Sequence, residues 1–378
     1  MHPEFSLSPD VLYLNHAAVA PWPRRTLDAV ARFAQANATR GAADYADWLK
    51  TEARLRERLA GLVKAPSPED VALAKNTSEG LSIIAHGLAW EPGDNVLGIA
   101  QEFPSNRIVW ESLRDRGVEY RQLDLYGSSA PEADLISLCD ERTRLIAVSS
   151  VQYARGLRLD LERLGSFCRS RDILFCVDAI QSLGVLPFDL SRTKADFVVA
   201  DGHKWMLGPE GVALLYVDPR LRPSLRLHQY GWHMVAHRGN YDRPDWTPAS
   251  DATRFECGSP NMLGIHALDA SLSLLSETGI DRIRDAVAER IDRFVELIDG
   301  RGFELLSPRE PDRRAGILTF RVPGTDGQAL YRKLMEKGVV CAPRGGGIRF
   351  SPHFYTPEEV LTRAIRITAK AAASADPR

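Results

Sequence analysis

The chain has 378 residues, enough for a large buried core and enough that two domains are expected. Its 48 basic and 50 acidic residues nearly cancel, which argues against nucleic acid or an anionic membrane surface as the main partner. Five cysteines, an odd number with no CxxC pair, argue against a disulfide framework or a structural zinc site, and no metal site is expected. The opening MHPEFSLSPD lacks the basic-then-apolar order of a signal peptide, and no apolar run approaches the about 18 residues of a membrane span. A soluble, cytoplasmic protein is expected.

In chain order, Tyr13 to Ala18 (YLNHAA) is a short apolar piece that turns polar before Pro21 and Pro23. Residues 24–33 and 48–63 have helical spacing, with Leu55, Leu59 and Leu62 on one face. The apolar Val71 to Ala74 leads into Asn76-Thr77-Ser78-Glu79-Gly80 and then a helix with Leu81, Ile84 and Leu88 aligned. Free N–H groups at that helix start, with the hydroxyls of Thr77 and Ser78, form a candidate anion cradle; an ordinary Ser/Thr cap is the competing reading.

Four further strands carry polar residues at their carboxyl ends, where α/β sheets keep their ligand crevices. Val96 to Ala100 precedes Gln101-Glu102-Phe103-Pro104-Ser105-Asn106, and Leu145 to Ser149 precedes Ser150-Val151-Gln152-Tyr153. Ile173 to Val177 ends in Asp178, and Phe197 to Ala200 ends in Asp201-Gly202-His203-Lys204. A second apolar run, Val212 to Val217, follows. A lysine after a strand is ordinarily a solvated surface residue. A lysine amine and a carboxylate on neighbouring strand ends, however, are what pyridoxal phosphate needs: an amine for its aldehyde and an acid for its ring nitrogen.

Beyond residue 217 the pattern loosens. His228 to Trp246 has no periodicity and many aromatic and basic residues, as in entrance walls or subunit contacts. Phe255-Glu256-Cys257-Gly258-Ser259-Pro260-Asn261 opens an apolar helix, with Ser259 a candidate cap. Ile280 to Ile298 carries a stripe at Ile283, Val287, Ile291, Phe294 and Ile298, and short strands and helices alternate from Ile317 onward. Arg349 alternates with Ile348 and Phe350, so on a strand it faces away from the apolar pair.

Five stretches in fixed order, NTSEG (76–80), VDAIQS (177–182), DGHKW (201–205), FECGSPN (255–261) and IRFSPHFY (348–355), together resemble the class V aminotransferases. This branch of the fold-type I pyridoxal phosphate enzymes includes cysteine desulfurases, selenocysteine lyases and kynureninases. The resemblance runs from YLNHAA to PHFYTPEEV. It implies an α/β fold with a large, mostly parallel sheet flanked by helices and a smaller α+β carboxyl-terminal domain. The expected domains are 20–250, and 1–19 with 251–378.

It further implies that Lys204 forms the Schiff base with pyridoxal 5'-phosphate, Asp178 bonds the ring nitrogen and Gln181 the ring hydroxyl region. Phe103 would lie flat on the ring, and His203 would join Thr77 and Ser78 at the phosphate. Ser259 would reach a partner's phosphate across a homodimer. Arg349 would bind the α-carboxylate of a small amino acid, with Asn15 and His16 near the substrate. Tyr153 departs from the usual asparagine, and Asp201 from the usual serine or threonine. Desulfurases keep a nucleophilic cysteine on a flexible loop before the arginine. Here Cys341 continues the apolar Val339-Val340 and reads as a buried thiol, so transamination or β-elimination leads and a C–S or C–Se lyase is the alternative. A Rossmann dehydrogenase would need a GxGxxG at its first strand–helix turn, which is missing, and a purely binding protein would not need Lys204 and Asp178 together.

Overall fold

The computed structural model describes residues 2–373. Strands are numbered along the chain: β1 (Leu12–Tyr13), β2 (Val71–Ala74), β3 (Asn95–Ile99), β4 (Glu119–Leu123), β5 (Thr143–Ser149), β6 (Leu174–Asp178), β7 (Phe197–Asp201), β8 (Ala213–Val217), β9 (Glu304–Leu305), β10 (Leu318–Arg321), β11 (Val339–Val340), β12 (Ala342–Arg344) and β13 (Gly347–Phe350). Seven of them form the large sheet in the order β2-β8-β7-β6-β5-β3-β4, in which β3 to β7 pair in parallel and β8 runs antiparallel to both its neighbours.

Period-two alternation explains the layers. Ile146, Val148, Phe175 and Val177 pack on one face with the helices Tyr45–Val63 and Leu161–Ser170, while Leu145, Ala147, Phe197 and Val199 pack on the other with Leu81 and Ile84. The core strands are apolar on both faces because helices cover both. β4 had no such signal: its sequence EYRQL sits at the sheet edge, half-exposed, where charges suit an unpaired edge.

The four-stranded antiparallel sheet β12-β13-β10-β9, backed by Gly327–Glu336 and Glu358–Ala373, forms the smaller carboxyl-terminal layer. The amino-terminal segment joins it, since β1 pairs in parallel with β11 and Asn15 bridges Ser351. The helix Met262–Thr278, just past the expected boundary at 250, packs against Arg24–Arg40 and Tyr45–Val63 as well as Ile280–Asp299, and its Leu268 comes close to Gly202 and Gly208. Its apolar residues face in on most sides, which is why no amphipathic stripe flagged where it docks.

The helix Thr77–Gly87 approaches β7 closely at Gly80, where an added Cβ would sit 2.6 Å from Val199 Cγ1. Elsewhere an alanine in a helix gains about 1 kcal/mol over glycine. Here the neighbour is a fully buried, β-branched side chain on a central strand, which cannot rotate away cheaply, and overpacking costs about 1–3 kcal/mol. Gly80→Ala is therefore expected to lower the melting temperature in thermal unfolding. A raised melting temperature would show that the contact yields.

Candidate active site

The parallel strands end in one row. Register pairs Ser149 with Asp178 and Asp178 with Val199, so the carboxyl ends of β5, β6 and β7 lie side by side, and Asp201 extends two residues beyond Val199. Every residue of β7 is buried, and the chain beyond it turns sharply to present Lys204. Gly202 N–H bonds Val212 C=O at 3.0 Å and Gly208 N–H bonds Gly202 C=O at 2.9 Å, which pins the turn.

Burial dominates the electrostatics of this edge. It drives the Lys204 amine down to about 8, with Asp178 opposing and Arg349 adding to the shift. It pushes the Asp178 carboxyl up to about 6, against the Ile180 N–H that donates to Oδ1 at 3.0 Å and the Lys204 charge. A third group, Glu102, was not singled out from the sequence. It is buried behind Ser149, accepts from Ser149 N–H at 2.6 Å, bonds the Ser149 hydroxyl, and is pushed up to about 8 by burial. Only its position beside Phe103 hinted at a role.

The helix Thr77–Gly87 begins beside the row. Asn76 caps it through Glu79 N–H at 2.9 Å, so the cap is neither Thr77 nor Ser78, whose hydroxyls have other partners. Thr77 Oγ1 accepts from Asp201 N–H at 3.2 Å, and Ser78 donates to Ser105 Oγ at 2.8 Å. Asp201 turns toward His203: Oδ1 and Nδ1 are 3.0 Å apart without forming a hydrogen bond, and both are buried without a partner. Gln181 is more committed than expected. Its Nε2 donates to Ala17 C=O at 3.0 Å and its Oε1 accepts from Trp205 Nε1 at 2.9 Å, which leaves one Nε2 hydrogen for anything else.

Arg349 is 2% exposed. Its Nη1 donates to Tyr153 C=O at 2.7 Å, its Nη2 reaches Asn15 Oδ1 at 3.3 Å, and its Nε has no partner. Among the described residues no carboxylate pairs with it, and burial brings the guanidinium down to about 10. Asn15 thus meets Arg349 directly. His16, the other residue expected near the substrate, has both ring nitrogens engaged by the protein. It is fully buried, its Nδ1–H donates to Ser351 C=O at 2.8 Å, and its Nε2 accepts from Tyr355 hydroxyl at 2.6 Å, so the ring ties the amino-terminal segment to the small layer.

Phe103 is 41% exposed, with Lys204 Nζ 5.5 Å from its ring centre and the Tyr153 ring edge-on at 5.3 Å. An exposed aromatic face beside a buried amine is a surface ready for a flat partner. Cys341 is buried just before β12, with its thiol pushed up to about 12 by burial against the opposing charge of Arg349. Trp205 and His353, quoted above only within their motifs, hold the Lys204 turn: His353 Nε2–H donates to Trp205 C=O at 3.2 Å, and its Nδ1 accepts from Phe354 N–H at 2.9 Å.

Ser259 is exposed and caps nothing; Asn261 caps the helix instead, accepting from Gly264 N–H at 3.0 Å. The neighbouring Glu256 is buried. Arg56 bonds both its oxygens and Glu52, Leu73 N–H donates to it at 2.8 Å, and His233 lies 3.6 Å away. Glu52, His233 and Glu256 approach as metal ligands would, yet the guanidinium of Arg56 already supplies the cation between the two carboxylates. No helix among the described residues is long and apolar enough to cross a membrane.

The Aminotransferase class-V family profile matches residues 12–359. A probable cysteine desulfurase of Methanothermobacter thermautotrophicus is 30% identical, covering 93% of this chain and 92% of its own. An isopenicillin N epimerase of Streptomyces clavuligerus is 32% identical, covering 94% of each. A solved structure of a variant of the cystine C–S lyase C-DES, with glycine covalently linked to its pyridoxal phosphate cofactor, superposes with a TM-score of 0.87 at 24% identity, covering 96% of this chain and 97% of that one. With its strand-end lysine, its buried aspartate and a match over nearly the whole length, the chain is an enzyme and belongs to the class V aminotransferase family.

Proposed function

We propose that this enzyme uses pyridoxal 5'-phosphate to act at Cα or Cβ of a small amino acid, by transamination or β-elimination. The observation that carries the reading is Arg349, a buried guanidinium that lacks an acidic partner among the described residues and lies close enough to Lys204 to depress its pKa. A buried cation without a counterion is costly, and a substrate carboxylate would relieve it with a planar two-bond match.

The residues present fit the cofactor. The helix start at Thr77, with Ser78 and His203, whose Nδ1 is turned to Asp201 Oδ1 at 3.0 Å, offers donors to a phosphate. When bound, the cofactor supplies an aldehyde that condenses with amines and a ring that accepts electrons. Lys204 contributes an amine partly neutral near pH 8, hence nucleophilic. Asp178 holds a proton on the ring nitrogen; the opposite charge there would in turn draw its own pKa down from about 6. Phe103 covers one face and excludes water, and the spare Gln181 hydrogen suits the ring hydroxyl. Asn15 and the Tyr153 carbonyl orient Arg349. We further propose a cytoplasmic homodimer in which Ser259 serves the partner's site, supported by its exposure and by the exposed Tyr230, Trp232, Tyr241 and Trp246 nearby in the chain.

The names of the two sequence relatives favour different outcomes, desulfuration and epimerisation, which share chemistry beginning at Cα. Desulfuration by this chain is disfavoured by the burial of Cys341 and by the tight turn at Gly345-Gly346, which leaves no long loop before Arg349. Adding amino acids one at a time to protein loaded with the cofactor and following its absorbance tests the whole reading. Amino acids are expected to shift the spectrum and simple amines are not. Shifts by amines alone would remove Arg349 from its role.

Three outcomes follow from the geometry. Covalent capture of pyridoxal 5'-phosphate by cofactor-free protein should accelerate with rising pH about a midpoint near 8, because the neutral fraction of Lys204 grows there rather than near the roughly 10.4 of a free lysine. Stopped-flow absorbance reads this, and a midpoint above 10 would mean that the amine is solvated. Arg349→Lys should weaken amino-acid binding by about tenfold or more in the same spectral titration, with the cofactor still bound, since a point charge cannot copy the fork. Cys341→Ser should change turnover with any amino acid, cysteine included, by less than about twofold. Loss of cysteine desulfurase turnover in that variant, with cofactor and fold retained, would restore the desulfurase reading.

A further inference from the structure

Arg155 lies two residues past Tyr153, the residue whose carbonyl holds Arg349. Its backbone is fixed by Gln152, whose Oε1 accepts from Ala154 N–H at 2.9 Å and Arg155 N–H at 2.7 Å, and whose Nε2 donates to Gln101 C=O at 2.9 Å. The side chain is clamped as firmly. Its guanidinium stacks 3.7 Å over the Tyr126 ring, and its Nε donates to Gly345 C=O at 3.0 Å. Gly345 belongs to the turn between β12 and β13, the strand that bears Arg349, and takes the left-handed φ of +59° that suits glycine.

An arginine usually keeps its mobility at a surface or meets an acid when it is held. Arg155 is half-buried and oriented, yet no carboxylate pairs with it among the described residues, and its four Nη hydrogens have no protein acceptor there. Asp124, the acid that neighbours Tyr126, turns instead to Gln101 Nε2 and the Tyr126 amide. Arg344, on the same hairpin, also has no acidic partner among the described residues and there donates to Pro343 C=O, while its charge helps to depress Arg349. Three guanidiniums therefore gather around one hairpin without a counterion, in a chain with 50 acidic residues that pairs Arg313 with Glu132 and Arg222 with Asp70 elsewhere. The Arg344 charge tells on Arg349, and an anion is what such a gathering of cations would stabilise.

Arg349 accounts for one carboxylate. We propose that Arg155, flanked by Arg344, is a specificity-determining residue that binds a second, distal carboxylate, so that the preferred substrate is an amino acid with an acidic side chain. This rests on the proposed function, in which Arg349 takes the α-carboxylate. The Tyr126 ring and the Gly345 carbonyl hold the guanidinium plane in place, so little side-chain freedom is lost on binding. A site built to hydrogen-bond a charged group also discriminates against the neutral isostere, because its donors are then left unmatched.

The test is a spectral titration of cofactor-loaded protein with L-aspartate, L-glutamate and L-2-aminoadipate, each against its side-chain amide, and with L-alanine as a ligand that has no distal group. The best of the three acids is expected to bind at least about fivefold more tightly than its amide, in line with a charge-assisted hydrogen bond at a half-exposed site. That preference should shrink as salt is raised and disappear in Arg155→Gln. A wild-type preference below that threshold for all three, or one that Arg155→Gln retains, overturns the subsite. The wild-type comparison decides the matter even if the variant fails to fold. A response to L-alanine without a preference for the acids would overturn the subsite and leave the Arg349 reading standing. No response to any amino acid would take both down together.

Discussion

The structure depends on placing three ionisable groups, Lys204, Asp178 and Arg349, in one crevice that water hardly reaches. Each is nearly buried and each has its charged form disfavoured by burial before any other influence. Moving an ion out of water costs several kcal/mol even after relaxation. The protein offsets part of this by letting the groups see one another, since Lys204 and Asp178 each draw the other toward the charged form. Arg349 has no such opposite charge beside it, and its Nε has no partner among the described residues.

Holding such groups still requires rigid supports from distant parts of the chain. The amino-terminal segment supplies several: Asn15 meets Arg349, Ala17 C=O receives Gln181, and Ala20 N–H bonds His203 C=O at 2.8 Å. His16 anchors that segment between Ser351 and Tyr355 through its neutral ring. Burial brings it down to about 4, which keeps it neutral and keeps both bonds intact across the physiological range. Trp205 closes the frame. Its indole bonds Gln181, its carbonyl receives His353, and its ring fills the space that a side chain at Gly316 would need.

Periodicity and strand-end logic made the central sheet and its reactive row legible: apolar runs ended in Asp178 and Asp201, on neighbouring strands whose register pairs Asp178 with Val199, two residues short of Asp201. The capping asparagines were not distinguished from their hydroxyl neighbours, because Asn76 and Asn261 stand beside equally good cap formers and only the φ/ψ at each helix start decides between them. The anchoring of His16 was not legible, since its two partners are more than 330 residues away along the chain. β4 and the docking of Met262–Thr278 escaped for opposite reasons, one lacking an apolar pattern and the other apolar nearly all round.

Glu102 shows how the crevice sets its net charge. It and Asp178 lie across Ser149, and the Asp178 charge adds to the burial that raises Glu102. Burial takes Glu102 to about 8 even though Ser149 and Asn106 bond its ionised form, and it takes Asp178 to about 6 against the Ile180 amide and the Lys204 charge. At neutral pH the pair therefore carries one negative charge, and it rests on Asp178. That division leaves the single anion on the strand end that borders Lys204.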